Sequence, residues 1–393
     1  MQIGLHREPR HLKLQAMSVF QAELRRRLWA TILDMVVQAS LDARMPPRIS
    51  LDEFDVEPPS NIDDDDIDES STRIDPRPRT TFTATSVQLE LLDSLPVRLR
   101  IVQYLNDLHS ESSYSRVLSL SAELTNALRS SSSSLGAART TRPSEASPSS
   151  HQTGQGPAGA AGPDSSPPPM GPFQRSLLDF LIRRFMIPLH YAFSNQARSN
   201  PLFHSSLRLS LDAALALITP EPEPEPEASV SGDSNRFARL LATGGGLFRE
   251  GVRCAITAIS LELLAHVDAQ RLDGTLHRVT LHRDLLKRAA RDLLALSERR
   301  IRHGETNVKA HMFMSMVLAQ VGAVEAGGST GAGSVELAIT RAAMESLRAC
   351  HEMLGSRADA DEMDGLLASG DIGLDAYGMD WDWEVLLPNA NFF

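Results

Sequence analysis

Leucine, alanine and valine recur at spacings of three and four residues through most of this chain, and this periodicity constrains its fold more than any other feature. Such spacing places apolar side chains along one face of an α-helix. No convincing alternation of apolar and polar residues, the pattern of a strand, is present. We therefore predict an all-α protein, a large helical domain interrupted by disordered insertions. The predicted helical stretches lie within 1–45, 87–108, 114–128, 176–193, 203–218, 236–241, 247–269, 281–302, 308–324 and 335–354.

The first predicted helix carries an apolar stripe and an arginine triplet. Pro46-Pro47 is expected to end this helix, because the residue before a proline is disfavoured in the α conformation. Arg25-Arg26-Arg27 is predicted to face mostly outward. The apolar residues predicted to share one face are Leu24, Leu28, Ile32, Met35, Val36 and Ala39.

Composition divides the chain into segments. Residues 129–172 are rich in Ser, Pro and Gly and contain too few apolar side chains to offset the entropy of ordering, so we predict a disordered linker. It separates an N-terminal part, 1–128, from a C-terminal part, 173–355, within one helical domain. The Glu-Pro repeat at 220–227 is predicted to be a stiff, solvated spacer. An acidic and aromatic tail, 356–393, completes the chain.

Charge and cysteine content exclude several classes of protein. The 393 residues contain only two cysteines, Cys254 and Cys350, too few for a disulfide scaffold or a zinc cluster built on four or six thiolates. The net charge of −11 argues against nucleic-acid binding by charge alone. Neither a secretory signal nor a membrane span is recognisable, so we expect an intracellular, soluble chain without a membrane partner.

Two patterns suggest metal binding, and neither has the required spacing. The acid run Asp63–Asp66 lacks the glycine and the bidentate glutamate of a calcium-binding loop, and we interpret it as a solvated acidic loop. His277 and His282 are five residues apart on one predicted helix, which places them on different sides. We therefore predict no metal ligands in this chain.

The patterns that suggest catalysis also lack their structural context. Ser329 lies in a Gly-x-Ser-x-Gly sequence, but no strand precedes it, so we predict a connecting loop. The glycines at 244–251 lack the Lys-Ser/Thr of a phosphate-binding loop and are predicted to begin a helix. Acids interleave with the bases of 283–302, which favours a salt-bridged surface over a nucleic-acid site. We predict no catalytic residue, no cofactor-binding residue and no enzyme.

Three motifs, in order, resemble the middle homology region of fungal zinc-binuclear-cluster transcription factors. The first motif comprises Gly4, Leu5, His6, Arg7, Glu23, Arg25, Arg26, Arg27, Leu28, Trp29 and Asp34. The second follows a short proline turn and comprises Pro58, Pro59, Asn61, Asp63 and Asp64. The third, which is weaker, is the helix end 180–193. One departure is that the Trp-Trp of the family is Trp29-Ala30 in this chain.

The resemblance implies a nuclear transcriptional activator whose helical domain senses or relays a signal and whose targets are metabolic or secondary-metabolite genes. It implies zinc only in an N-terminal six-cysteine cluster, which these 393 residues do not contain. DNA would then be reached indirectly, through homodimers or heterodimers with family members, and coactivators would be partners. A helical scaffold, or a dominant-negative partner of intact family members, is the alternative.

The residues themselves suggest how the first two motifs interact. The arginine triplet can pair with the acidic loop 52–69 and hold that loop over the helix. Exposed ion pairs of this kind contribute only about 0–1 kcal/mol each. We therefore expect the motif residues to be structural rather than catalytic.

The tail combines carboxylates with large apolar side chains. Repulsion between the acids would keep the tail open, so that a hydrophobic groove on a coactivator could bind its apolar residues. The predicted anchors are Trp381, Trp383, Leu386 and Leu387. The alternative is that the tryptophans dock onto the helical domain.

Overall fold

The structure is a computed structural model that describes residues 4–9, 17–107, 113–134, 170–222, 235–326 and 332–364. The all-α prediction is confirmed for these ranges, which contain eleven α-helices and no strand. The helices are α1 Val19–Ala43, α2 Ser86–Leu105, α3 Tyr114–Ser134, α4 Pro172–Arg183, α5 Met186–Ser194, α6 His204–Ile218, α7 Arg236–Thr243, α8 Leu247–Leu272, α9 Leu281–Arg302, α10 Lys309–Ala326 and α11 Ala332–Asp364.

The chain divides between Phe185 and Met186 into two compact units. In the first unit α2 packs against α1, α3 and α4, and α3 also packs against α4. Helix α3 continues to Ser134, into the range predicted as linker, and α4 follows that range. Side chains from α1, α2, α3 and α4 form the core of this unit, among them Leu33, Val37, Leu99, Val102, Leu124, Phe180 and Ile182.

In the second unit α8 packs against α5, α6, α7, α9 and α10, and α10 packs against α11. Helix α9 contacts α6, α7, α8, α10 and α11, so it lies at the centre of this arrangement. The core is largely aliphatic, as the small number of aromatic residues requires. Its buried members include Leu217, Ala255, Ile259, Leu263, Leu293, Phe313, Met314 and Val317.

Local hydrogen bonds and backbone conformation define the two ends of helix α1. Ser18 and Gln21 form a capping box, in which each side chain accepts a hydrogen bond from the backbone N–H of the other residue. Arg44 ends the helix in the left-handed conformation, with φ 52°, and the Pro46-Pro47 pair follows. Residues 4–9 lie outside the helix, so the helical pattern predicted from the first residue is wrong for this described segment.

The predicted orientation of α1 is also wrong. The apolar stripe is largely on the exposed side: Leu24 and Leu28 are about half exposed, and Met35 is 63% exposed. The arginine triplet is instead half-buried. The reason is that a different set of apolar residues, Trp29, Leu33, Val37 and Leu41, packs inward, while residues 4–9 and the acidic loop cover Glu23 and the arginines. The buried residues of α1 are Glu23, Trp29, Ala30, Leu33, Val37, Gln38 and Leu41.

The single helix predicted over 176–193 is two helices, α4 and α5, interrupted at Arg184–Phe185. Pro188 provides the physical reason. In a continuous helix its ring would clash with the carbonyl of Arg184, and it has no N–H to donate to that carbonyl. Pro188 is tolerated because it lies in the first turn of α5.

Several predicted features lie outside the described residues. These are residues 135–169 of the linker, most of the Glu-Pro spacer, the loop with Ser329, and the tail beyond Asp364 with Trp381, Trp383, Leu386 and Leu387. Residues 356–364, predicted as the start of the tail, instead continue helix α11. Within the described part of the chain, no helix has both the length and the apolar character that crossing a membrane requires.

Candidate functional site

The residues of the first two motifs meet on one side of α1, where Glu8 joins the segment 4–9 to the helix. Glu8 is only 2% exposed. Its carboxylate accepts from the Arg26 guanidinium, and also from the Glu57 backbone N–H at 3.2 Å. The Glu8 backbone N–H donates in turn to Asp55 Oδ1 at 2.7 Å. One buried carboxylate therefore ties together the N-terminal segment, α1 and the acidic loop.

A second buried carboxylate, Glu23, also connects α1 to the acidic loop, three residues further along the loop than Glu8 does. Glu23 is 1% exposed and lies one helical turn before Arg27, whose Nε is 3.4 Å from Glu23 Oε1. The same oxygen accepts from the Ser60 backbone N–H at 3.0 Å. Glu8 and Glu23 thus hold the loop backbone at residues 57 and 60, on either side of Pro58-Pro59. Of these two prolines, Pro59 is buried and Pro58 is exposed.

Each arginine of the triplet has a different partner. Successive residues of a helix point about 100° apart, so three adjacent arginines reach in three directions. Arg25 donates to the Gly4 carbonyl at 2.9 Å, Arg26 reaches Glu8, and Arg27 pairs with Asp64 at 2.6 Å. The predicted pairing between the triplet and the acidic loop is therefore present. The predicted outward orientation is wrong for Arg26, because its side chain is only 12% exposed and pairs with the buried Glu8.

Aromatic residues complete the attachment of the segment 4–9. The Trp29 side chain is buried, its ring lying 5.7 Å from Phe54 in an edge-on arrangement and 6.3 Å from His6. Phe54 comes from the acidic loop and His6 from the N-terminal segment. The three segments joined by ion pairs are therefore also joined by an apolar contact, and aromatic pairs of this geometry add about 0.5–1.5 kcal/mol beyond burial.

Asn61 organises the far end of the loop. Its Nδ2 donates to the carbonyls of Arg77, Pro78 and Thr81 at distances of 3.3, 2.8 and 3.0 Å. Its Oδ1 accepts from the hydroxyls of Thr83 and Ser86. This one buried amide fixes the chain from residue 77 to the start of α2, which explains why an asparagine at this position has a structural use.

The positive charge of Arg77 holds the acid run Asp63–Asp66 in place. Asp64–Asp66 form a short 3₁₀ turn, and Arg77 pairs with Asp63 at 2.5 Å and with Asp66 at 2.8 Å. Asp63 also accepts from the Ala84 backbone N–H at 2.8 Å. The interpretation as a solvated loop therefore holds for Asp64 and Asp65, which are exposed, while Asp63 is partly buried and paired.

Sequence reasoning missed a second group of buried charges in the same unit. Arg98 on α2 pairs with Asp34 on α1 at 2.5 Å, and Arg184 donates to Gln38 Oε1 at 3.0 Å and to Asp42. Gln38 donates to the Leu181 carbonyl. The sequence places Arg98 between two apolar residues of α2, Val97 and Leu99, but this does not identify its partner. Asp34, a motif residue, has its structural partner here.

Other predictions fall in the second unit. Helix α8 begins at Leu247, which confirms that a helix begins within the glycine-containing segment 244–251. The basic helix α9 is salt-bridged as predicted, although Arg283 and Arg300 are buried rather than solvated. The placement of His277 is wrong: it lies before α9, which begins at Leu281, so only His282 belongs to that helix.

The contacts around α1 hold separate segments of the chain together and do not form a catalytic site. Its carboxylates face guanidinium groups or backbone N–H groups. Such contacts stabilise one arrangement of the chain rather than activate a nucleophile. The cluster of Glu8, Glu23, Arg26, Arg27 and Asp64, which we call the α1 charge cluster, is therefore the feature that the motif residues create.

This chain is similar to curated transcription factors of fungi. Over all of its length it is 53% identical to the transcription factor asR3 of Sarocladium schorii. It is 31% identical to the transcription factor lepE of Aspergillus flavus over 91% of its length, and 30% identical to the aspyridones cluster regulator apdR of Emericella nidulans over 67% of its length. No family model matches the chain, and no solved structure matches it significantly.

The chain spans less than half the length of these relatives: 46% of asR3, 40% of lepE and 33% of apdR. The identities to these relatives support the resemblance to fungal transcription factors that the motifs indicated. The relatives are named as transcription factors and not as enzymes, which supports the prediction of a non-enzymatic protein.

Proposed function

We propose that this chain is the helical regulatory portion of a nuclear transcription factor that controls a fungal secondary-metabolite gene cluster. The observation that carries the proposal is the 53% identity to a transcription factor along the whole chain. Relatives named as cluster regulators, such as those of the aspyridones and equisetin clusters, support the type of target.

The α1 charge cluster has a specific part in this proposal. A regulatory domain must present a defined surface to its partners, and a long polar loop is poorly suited to that unless it is fixed. Glu8 and Glu23 fix this loop through buried ion pairs and backbone N–H groups. Buried charges favour one arrangement because any alternative arrangement leaves a charge unpaired.

The acidic tail is proposed as the activating segment. Residues 358–393 carry Trp381, Trp383 and the Leu386-Leu387 pair among carboxylates. Apolar anchors of this type bind a hydrophobic groove, while the acids accelerate the encounter with a basic rim. A coactivator with such a groove is the expected partner.

DNA is proposed to be contacted by other segments or partner proteins. Two cysteines cannot form the six-thiolate zinc cluster, so no zinc of that kind is bound by these 393 residues. The chain would reach DNA as part of a longer protein, or as a homodimer or heterodimer with family members.

A reporter experiment tests the proposal. The chain is fused to an unrelated DNA-binding domain and expressed in a fungal host. We expect transcription of the reporter to rise, and we expect the double substitution Trp381→Ala with Trp383→Ala to abolish that rise while the protein level is unchanged. Expression of the same chain without the DNA-binding domain gives the background level.

Two outcomes would overturn the proposal in different ways. A fusion that is present in the nucleus but leaves the reporter at background contradicts an activating role. If the unfused chain also lowers activation by a full-length relative, the chain is a dominant-negative partner. Loss of fold in the double tryptophan variant would indicate a docked tail instead of an activating one.

A further inference from the structure

Three side chains that are distant from the α1 charge cluster converge between α8 and α9. Glu262 and His266 are one turn apart on α8 and therefore share a face of that helix. His282, at the beginning of α9, lies opposite them, with its Nε2 3.3 Å from Glu262 Oε1. The rings of His266 and His282 meet edge to face, with centroids 5.0 Å apart.

These three residues form a ligand set for a transition metal. One donor atom from each lies within 4.8 Å of the other two. Two imidazoles and one carboxylate, with the fourth position open to water, are typical of zinc sites. Zinc–ligand bonds of about 2.0–2.2 Å place neighbouring donor atoms roughly 3.3–3.5 Å apart in a tetrahedron. Glu262 and His282 already have this spacing.

One of the three ligands carries the negative charge that attracts a cation. Glu262 is the one carboxylate among the three, and its side chain is only 10% exposed.

Arg198 orients the carboxylate. Its Nη2 is 2.5 Å from Glu262 Oε2, which leaves Oε1 directed at His282. Partners of this kind fix the direction of a ligand. The guanidinium charge also opposes a cation, so Arg198 sets the affinity as well as the geometry. His282 is 44% exposed, which provides an entry path and allows its ring to rotate toward the metal.

We propose that Glu262, His266 and His282 bind one Zn²⁺ ion, which fastens the beginning of α9 to α8. Sequence spacing could not indicate this site, because His266 and His282 are contributed by different helices. Zinc binding at these residues does not require the proposed transcriptional role, so each can fail without the other.

Metal titration of the purified full chain tests the proposal. Zn²⁺ is titrated into metal-free protein in competition with a chromophoric chelator, and Co²⁺ is titrated separately to record its visible absorption. We expect one ion per chain and the intense absorption of tetrahedral cobalt. His282→Ala should weaken binding by about tenfold or more, since losing even an outer partner of a ligand costs about that much.

His277→Ala is the matched control, because His277 is exposed in the turn before α9 and belongs to no ligand set among the described residues. It should bind Zn²⁺ as the wild type does. Equal affinity of the wild type and His282→Ala, or equal weakening by His277→Ala, would overturn the proposal. Because His282 is partly exposed, its variant is expected to fold, which circular dichroism checks.

Discussion

Arg98 on α2 is completely buried and pairs with Asp34 on α1, with 2.5 Å between Nη1 and Oδ1. Its other donors are directed at the Ser94 hydroxyl and the Leu91 carbonyl, and the Phe185 ring lies against the guanidinium. Burial lowers the pKa of Arg98, and Asp34 opposes that shift. The pair therefore connects α1 and α2, and burial leaves the Arg98 guanidinium without access to solvent.

Asp34→Asn is expected to destabilise the first unit by about 3–5 kcal/mol, because it leaves a buried cation without its counter-charge. Urea unfolding monitored by circular dichroism measures this change. The matched control is Glu123→Gln, which breaks the Arg100–Glu123 pair between two partly exposed side chains. That substitution should cost less than about 1 kcal/mol. Equal effects of the two substitutions would contradict the inference that the buried Arg98 needs Asp34 as its counter-charge.

Glu8→Gln is expected to release residues 4–9 and the loop near Glu57 without unfolding the helices. The substitution removes the charge that Arg26 faces and weakens the bond from the Glu57 N–H. Hydrogen exchange at residues 4–9 and 55–60 should accelerate by about tenfold or more, which corresponds to about 1.4 kcal/mol. Glu69→Gln, a change at an exposed position of the same loop, is the control. Unchanged exchange in Glu8→Gln would show that other contacts, such as those of Trp29 and Arg25, hold the segment without the Glu8 charge.

Asn61→Asp tests the organisation of the loop with an isosteric change. The new carboxylate oxygen would face the three carbonyls that Nδ2 now contacts, so donation is replaced by repulsion. We expect a loss of about 2–3 kcal/mol in the free energy of unfolding, from several hydrogen bonds at about 1 kcal/mol each. Asn307→Asp is the control, because Asn307 uses its side-chain oxygen as an acceptor, which aspartate preserves. If Asn61→Asp and Asn307→Asp lowered the free energy of unfolding by the same small amount, the prediction would be wrong.

His190 makes stability depend on acidity. It is fully buried with its Nδ1 2.8 Å from Ser206 Oγ, and burial lowers its pKa from 6.5 to about 4. The unfolded chain therefore binds more protons than the folded chain between these values. The contribution of neutral His190 is fully present above pH 6.5 and declines as the pH falls toward about 4. The slope reaches about 1.4 kcal/mol per pH unit.

Urea unfolding at a series of pH values checks this dependence, and His190→Gln should reduce the slope between pH 6.5 and 4. His204→Gln, at an exposed position of α6, should leave the slope as in the wild type. Should His190→Gln not fold, the pKa of His190 in the wild type, followed by NMR, decides the question. A value near 6.5 would contradict the prediction.

Much of the local structure could be predicted from the sequence, because the forces concerned act over a few residues. Apolar spacing identified the helices, the prolines at 46 and 47 followed the end of α1, and the glycines before Leu247 preceded α8. The predicted pairing of the arginine triplet with the acidic loop is also present, in the contact between Arg27 and Asp64. Each of these features depends on neighbours in the chain or on a recognisable pattern.

The orientation of α1 shows where such reasoning fails. Leu24, Leu28 and Met35 form an apolar stripe, yet they are exposed, whereas Glu8, Glu23 and Gln38 are buried. Periodicity states which residues share a face, but it does not state which face is covered. That depends on distant segments: the loop near residues 57–60 brings polar partners to Glu8 and Glu23, and Leu181 and Arg184 pair with Gln38.

The sequence by itself determined the helical class, the helix positions and the motif residues of this protein. Only the tertiary structure decided that Arg98 meets Asp34, 64 residues away, and that His266 meets His282 beside Glu262. The physical reason is that the energy of a buried charge or a ligand cluster comes from groups brought together by packing. No local spacing encodes those partners, because they belong to different helices.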